Sequence, residues 1–339
     1  EWSGRYKPFD AQATTSAFLT INKRAFVLND LGTGKTMATL WAYDYLRSLG
    51  QANKLLVVSP LSTLERVWAD EIFGHFPHLT YAVLHGTKRK RVDLLNADVD
   101  VYIINHDGVK VMQDELCKRK DIDVVVIDEI SQCARNASTG RWKALKKVTT
   151  NVTWLWGLTG TPIPNEPTDA WAQCRLVVPD NVPPYYTRFR DTVMRQAGPY
   201  RWIPRDNALE SVEQVMQPSI RFHRSDCVDL PPLMYQTRQV PLSKDQQRMY
   251  NDMVSNLSTE LGGEQIQAVN EAAKLMKLVQ IACGTAYSMD GEIVNVEPTE
   301  RLQVLRELLE ESNSKSLVFA PVTATVEMIA EHLRGHGYR

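Results

Sequence analysis

The stretch Ala25-Phe26-Val27-Leu28-Asn29-Asp30-Leu31-Gly32-Thr33-Gly34-Lys35-Thr36 decides the fold. Ala25 to Leu28 is an unbroken apolar run, as expected of a strand buried on both faces. Gly32 and Gly34 then let the backbone wrap closely around a phosphate chain. From Met37 to Leu49 the pattern turns helical. Strand, glycine loop and helix are the context in which Gly-Lys-Thr binds phosphate, because backbone amides and the helix N-terminus supply donors and positive potential. The candidate nucleotide contacts are Leu31, Gly32, Thr33, Gly34, Lys35 and Thr36. In such a loop the lysine reaches the β- and γ-phosphates and the threonine hydroxyl coordinates Mg²⁺. The strict G-x-x-x-x-G-K-T pattern fails at its first position, where Asn29 stands.

Further apolar runs follow at Lys54–Val58, Val99–Ile104, Val124–Ile127 and Val152–Leu158, with helical patterns between them at Ser62–Phe73 and Ala144–Val148. Continuous runs separated by helices predict a parallel sheet covered on both faces, an α/β doubly wound domain over residues 1–180. The run Asp123-Val124-Val125-Val126-Ile127-Asp128-Glu129 puts two carboxylates at the carboxyl end of a strand, the edge where such sheets bind ligands. Asp128 is the candidate to hold Mg²⁺ and Glu129 to polarise an attacking water. Hydrolysis of a β–γ phosphate bond needs both parts, a phosphate cradle and a carboxylate–metal centre facing it.

At 339 residues the chain has room for about two domains of roughly 150 residues each. A hydrophobic fraction of 43% with 23% charged residues argues against disorder and collagen-like structure. A net charge of -1 argues against a uniformly basic coat, though not against a local basic track. Five scattered cysteines without a C-x-x-C pair argue against a zinc knuckle and suit a reducing compartment. No apolar run approaches the roughly 18 residues that span a bilayer. Of the seven histidines, His75, His78 and His85 are separated by apolar residues and read against a metal site. Residues 181–230 are rich in proline, arginine and aromatics and read as an inserted, bridging helical segment. Beyond them a strand is expected at Tyr235–Val240, and long helices at Lys244–Leu261 and Gln265–Ile281. Helix Glu300–Glu311, strand Ser316–Ala320 and a helix from Val326 to Arg334 then open a second α/β domain over 231–339. The chain begins with Glu1 and stops in a polar stretch, so a fragment of a longer protein is expected.

Four further segments carry a resemblance. Thr159-Gly160-Thr161-Pro162 resembles motif III of helicase superfamily two. Ser59-Pro60-Leu61 with Leu64 and Trp68 resembles motif Ia, and Leu28–Thr36 is similar to motif I of its Swi/Snf-like branch, which also lacks the first glycine. Asp229-Leu230-Pro231-Pro232, then Leu242-Ser243, Gln246 or Gln247, and Tyr250 resemble the D-L-P-P…L-[ST]-x-x-Q-x-x-x-Y signature that opens that branch's second lobe. Leu275–Cys283 and Ser316–Ala320 look like its L-x-x-L-R-Q-I-C helix and motif IV strand. The resemblance runs from residue 6 to about Leu333.

It implies two RecA-like lobes, the second incomplete here, that hold ATP and Mg²⁺ in the cleft between them. Gln12, after Pro8-Phe9, resembles the glutamine that reads the adenine edge. Thr159, Gly160 and Thr161 would couple nucleotide state to lobe closure. Ser59, Ser62 and Thr63 in motif Ia, with Asn105 and His106 in motif Ib, would face the nucleic-acid backbone. The implied activity is an ATP hydrolase that translocates along duplex DNA. A strand-separating DNA or RNA helicase and a nucleotide-gated binding module are the alternatives. No membrane partner, a monomer, and a bacterial or viral cytoplasm are expected, with a nuclear site if the source is eukaryotic.

There are departures. Ser131 stands where the branch usually has histidine, which puts the coupling contact in question, and Ile130 replaces a small residue. Arg135-Asn136 and Lys143-Ala144-Leu145 follow as a K-N…K-A-L segment would. Motifs V and VI, with the arginine fingers, would lie beyond Arg339. The chain alone is therefore expected to hydrolyse poorly, since such arginines supply roughly 10³–10⁵ in rate in related enzymes. The run Lys88-Arg89-Lys90-Arg91 reads mainly as a solvated helix start. Arg188, Arg190, Arg195, Arg201 and Arg205, among Tyr186, Phe189, Tyr200 and Trp202, have the mix of a nucleic-acid surface or of half-buried packing.

Overall fold

Each apolar run divides its side chains between two cores. Ala25 and Val27 point to one face and Phe26 and Leu28 to the other; Leu55 and Val57 oppose Leu56 and Val58 in the same way. This is the period-2 consequence of a strand covered on both sides. The strands are β1 (Arg24–Val27), β2 (Lys54–Ser59), β3 (Tyr81–Val83), β4 (Val101–Asn105), β5 (Ile122–Asp128), β6 (Trp154–Leu158) and β7 (Ser219–Ile220). They pair in parallel in the order β3-β4-β2-β5-β6-β1-β7. Helices α1 (Asp10–Ile21) and α2 (Lys35–Ser48) pack against one another before and after β1. The helical pattern after β2 is realised as a 3-10 turn, a π turn and a short α-helix over Leu61–His75.

The computed structural model describes residues 7–227, 233–261, 263–296, 298–312 and 314–338. They fall into two units, residues 1–231 and 232–339. The segment 181–230, set apart by its composition, belongs to the first unit. Phe189, Val193, Met194, Ala208, Val212 and Met216 join the core on the face that holds Phe26 and Leu56, and β7 extends the sheet beside β1. A short strand and apolar helix faces cannot be buried alone, so the segment folds onto the sheet it follows.

In the second unit, helices Lys244–Asn256 and Glu271–Cys283 pack together over Met249, Met253 and Ile281. Antiparallel hairpins pair Ser258–Leu261 with Glu264–Gln267 and Thr285–Tyr287 with Ile293–Asn295. The long helices expected over 244–261 and 265–281 are thus shortened, because a glycine-containing turn at Gly263 (φ 89°) closes a hairpin between them. Of the two glutamines in the signature, Gln246 is buried. It completes the capping box with Ser243 and donates from Nε2 to Ile281 O at 2.8 Å. Gln247 is exposed. Residues Tyr235–Val240 and Ser316–Ala320 form no strand among the described residues; Leu317 and Phe319 are 87% and 88% exposed. Without a neighbouring strand an extended segment has no ladder to join. Helices Thr299–Glu311 and Thr323–Gly335 follow the expected pattern. Asp229-Leu230-Pro231-Pro232 lies outside the described residues.

Candidate nucleotide-binding site

Three loops meet at the carboxyl ends of three adjacent strands. Val27 of β1 and Asp128 of β5 both pair in register with Leu158 of β6, so the phosphate loop, the acidic pair and Thr159 leave the sheet at one level. Gly160 follows closely: a β-carbon there would lie 3.4 Å from Asn29 O and 3.6 Å from Leu31 N. Motif III therefore rests on the phosphate loop through a residue without a side chain.

Within the loop, Gly32 and Gly34 are left-handed, at φ 82° and 76°. Gly34 is the N-cap of α2, so Lys35 and Thr36 open the helix and their amides have no intrahelical acceptor. Thr33 Oγ1 donates to Asp30 O at 2.8 Å and fixes the turn. Lys35 Nζ donates to the carbonyls of Asn29 (2.9 Å) and Asp30 (3.1 Å). Burial lowers its pKa, opposed by Glu129, Asp128 and Asp30. Gln12 caps α1, accepting from Phe9 N at 2.9 Å, and its side chain lies against Gly34. Leu31 is exposed.

Asn29, the departure from the glycine pattern, is 1% exposed and fully used. Its Nδ2 donates to Thr15 Oγ1 (2.9 Å) and its Oδ1 accepts from Phe222 N (3.0 Å). Asp30 N donates to Phe222 O, and the Asp30 carboxylate accepts from Arg224 N at 3.1 Å. This bond, with His223 nearby, holds Asp30 below the usual carboxylate range. An asparagine thus replaces the glycine as a brace between α1, the loop and the segment after β7.

The acidic pair is half-buried. Asp128 Oδ2 accepts from Trp68 Nε1 at 3.0 Å, and Oδ1 from Glu129 N at 3.0 Å. Burial raises the Asp128 pKa, against those two bonds and Lys35. Glu129 is raised by burial and by Asp128. Its backbone is left-handed (φ 48°, ψ 50°), an uncommon conformation for a side-chain-bearing residue that recurs at functional sites. Thr159 Oγ1 donates to Glu129 Oε2 at 3.4 Å and shares a 2.9 Å bond with Ser131 Oγ. Thr161 N donates back to Thr159 Oγ1. Ser131, where histidine is usual, therefore keeps a direct link between the acidic motif and motif III. The oxygens of Thr36 and Asp128 are the hard donors that Mg²⁺ takes.

The residues expected on nucleic acid divide. Ser62 is exposed and Thr63 half-buried, its hydroxyl donating to Pro60 O. Asn105 is half-buried, with Oδ1 held by Arg91 Nη1 at 3.1 Å. Ser59 is fully buried at the end of β2, and His106, 7% exposed, donates from Nε2 to Asp128 O at 2.8 Å. His106 thereby reaches across the end of β2 and ties the end of β4 to that of β5. Trp68 carries part of the motif Ia resemblance; its bond to Asp128 depends on β2 lying beside β5, which no local pattern announces. No cluster of three metal-binding side chains occurs among the described residues.

A RecA-like parallel sheet with a phosphate loop, an acidic strand end and a threonine between them defines a nucleotide-binding α/β unit. The chain belongs to the SNF2-related domain family, which it matches over residues 21–286. Protein p41 of Acyrthosiphon pisum secondary endosymbiont phage 1 is 28% identical over 313 residues, covering 88% of this chain and 68% of its own length. The ISWI chromatin-remodeling complex ATPase ISW1 of Saccharomyces cerevisiae is 23% identical, covering 99% of this chain but 31% of its own. Among solved structures, the Sulfolobus solfataricus SWI2/SNF2 ATPase core in complex with dsDNA aligns with TM-score 0.58 at 22% identity, over 91% of this chain and 65% of that one. The chain thus spans about a third of the yeast relative and about two thirds of the other two.

Proposed function

We propose that the protein is an ATP-dependent DNA translocase that couples ATP hydrolysis to movement along duplex DNA. The observation that carries this reading is the convergence, on adjacent strand ends, of Lys35, Asp128, Glu129 and Thr159. The amides of Gly32–Thr36 receive the triphosphate, and Lys35 exchanges two carbonyl oxygens for phosphate oxygens. Gln12, lying against Gly34, would read the base. Thr36 and Asp128 would hold Mg²⁺, which would neutralise charge on the leaving phosphates. Glu129, its carboxylate aimed by Thr159, orients the attacking water. Thr159 then carries a change at Glu129 to Ser131, and Gly160 to the phosphate loop, which makes this segment the coupling element. Ser62, Thr63 and Asn105 are the motif residues left with access to a DNA backbone, and hydroxyl and amide contacts to phosphate position a strand without reading sequence. Duplex DNA is the preferred track because the matching Sulfolobus core is described in complex with dsDNA.

The test is ATP turnover by the full-length protein with duplex DNA, single-stranded DNA and RNA side by side, with triplex displacement as the readout of movement. Duplex stimulation is expected, with turnover lost in Lys35→Ala and ATP still bound in Glu129→Gln. Strand displacement from a forked duplex would make it a helicase instead. Binding without nucleic-acid-stimulated turnover would leave a nucleotide-gated module. Turnover surviving Lys35→Ala would refute the phosphate-loop assignment.

A further inference from the structure

Residues 186–205 form a helix and hairpin that none of the motifs above uses. Helix Tyr186–Val193 leads into strand Met194–Gly198, which pairs antiparallel with Arg201–Pro204. Two of its five arginines are committed internally. Arg190 stacks 3.8 Å from the Trp202 ring centroid and bonds Asp191. Arg205 Nε donates to the carbonyls of Asp191 and Met194. Buried Phe189, Val193 and Met194 anchor the unit in the core. The hairpin is therefore braced from its helix rather than hanging free.

Of the other three, Arg188 lies 5.9 Å from the Tyr185 ring centroid, and Arg195 and Arg201 face outward. Arg195 pairs across the ladder with Ile203, and Arg201 lies two residues before Ile203 on the same strand. Side chains alternate along a strand, so Arg195 and Arg201 share one face and Trp202, with its stacked Arg190, takes the other. Both are exposed and have no carboxylate or carbonyl partner among the described residues. Tyr200, in the turn between the strands, is 99% exposed. From 185 to 206 the five arginines stand against Asp191 and Asp206 alone, a local excess that the net charge of -1 conceals.

Paired guanidinium groups recognise phosphates, and an exposed aromatic ring beside them lies well against sugars and bases. We propose that the hairpin Met194–Pro204 is an additional duplex-DNA contact, with Arg195 and Arg201 on backbone phosphates and Tyr200 against the neighbouring sugar edge. The proposal rests on the reading of the chain as a DNA motor and adds a contact to it.

The test measures the affinity of the full-length protein for a short mixed-sequence duplex across salt, for wild type, the double variant Arg195→Ala/Arg201→Ala, and Tyr200→Ala. All three side chains are exposed, so the core is untouched. Losing two phosphate contacts should flatten the slope of log affinity against log salt by about 1.8. The deficit of the double variant is then about 12-fold larger at 50 mM than at 200 mM salt. Tyr200→Ala should weaken binding with the slope kept. If wild type binds duplex and the double variant matches it in affinity and slope, the hairpin assignment is overturned while the motor reading stands. If wild type does not bind duplex, both fall. Unchanged duplex binding with loss of competition by polyglutamate would assign the hairpin to an acidic protein partner and also overturn the proposal.

Discussion

Gly32 and Gly34 share a left-handed backbone, at φ 82° and 76°, but their surroundings differ. A β-carbon on Gly32 meets nothing within 4 Å. On Gly34 it runs into the end of the Gln12 side chain, lying 2.8 Å from Cδ and 3.1 Å from Cγ. The left-handed region costs a residue with a side chain about 1–2 kcal/mol, and stiffening the unfolded chain returns about 0.4–1 kcal/mol. Gly32→Ala should therefore destabilise by about 1 kcal/mol. Gly34→Ala carries the same strain and must also push Gln12 aside. That breaks the 2.9 Å bond from Phe9 N, a further cost of about 1 kcal/mol. The expected total is about 2 kcal/mol, falling back to about 1 in a Gln12→Ala background. Urea unfolding followed by tryptophan fluorescence measures all four variants, and a fluorescent ATP analogue measures nucleotide affinity in parallel. If Gln12 reads the base as proposed, affinity should fall further for Gly34→Ala than for Gly32→Ala. Equal costs at the two glycines, or the same cost for Gly34→Ala with and without Gln12, would refute the reasoning.

Two further outcomes follow from the hydroxyl bridge and the buried acid. Thr159→Val leaves the Ser131 hydroxyl buried without its partner and removes the donor to Glu129, so stability should drop by about 1–3 kcal/mol. Thr159→Ser should restore it, and a valine variant as stable as wild type would remove the bridge from the account. Burial raises the Asp128 pKa, so the folded state binds a proton more tightly than the unfolded chain. That contribution to stability is present at low pH and is lost as pH rises from the ordinary carboxylate range through the raised value. Asp128→Asn should abolish this part of the pH dependence, at the cost of turning an amide N–H toward Trp68 Nε1 or Glu129 N. An identical slope in the two proteins would show that Asp128 is not the group responsible.

Much of this architecture can be read along the chain. The run Ala25–Leu28, the loop to Thr36 and the helix after it are local, because period, glycine placement and apolar continuity act over a few residues. The same holds for Asp128-Glu129 at a strand end and for the motif order behind the family assignment. The second unit was less readable: the hairpins at 258–267 and 285–295 lie inside or beside helical patterns, and ladder pairing is not a property of one segment.

The amino-acid sequence by itself determined that the first unit is a parallel α/β sheet with a phosphate loop and an acidic strand end. Folding in three dimensions decided which strands are neighbours. Only the order β5-β6-β1 sets Thr159 between Glu129 and the loop, and only the β2–β5 pairing brings Trp68 to Asp128 across 60 residues. It also turned Asn29 into a brace, buried Ser59 and His106, and drew Phe189, Val193, Met194, Ala208, Val212 and Met216 into the first core. These are pairings between distant segments, fixed by shape and by the need of each buried polar group for a partner, and a linear pattern does not encode them.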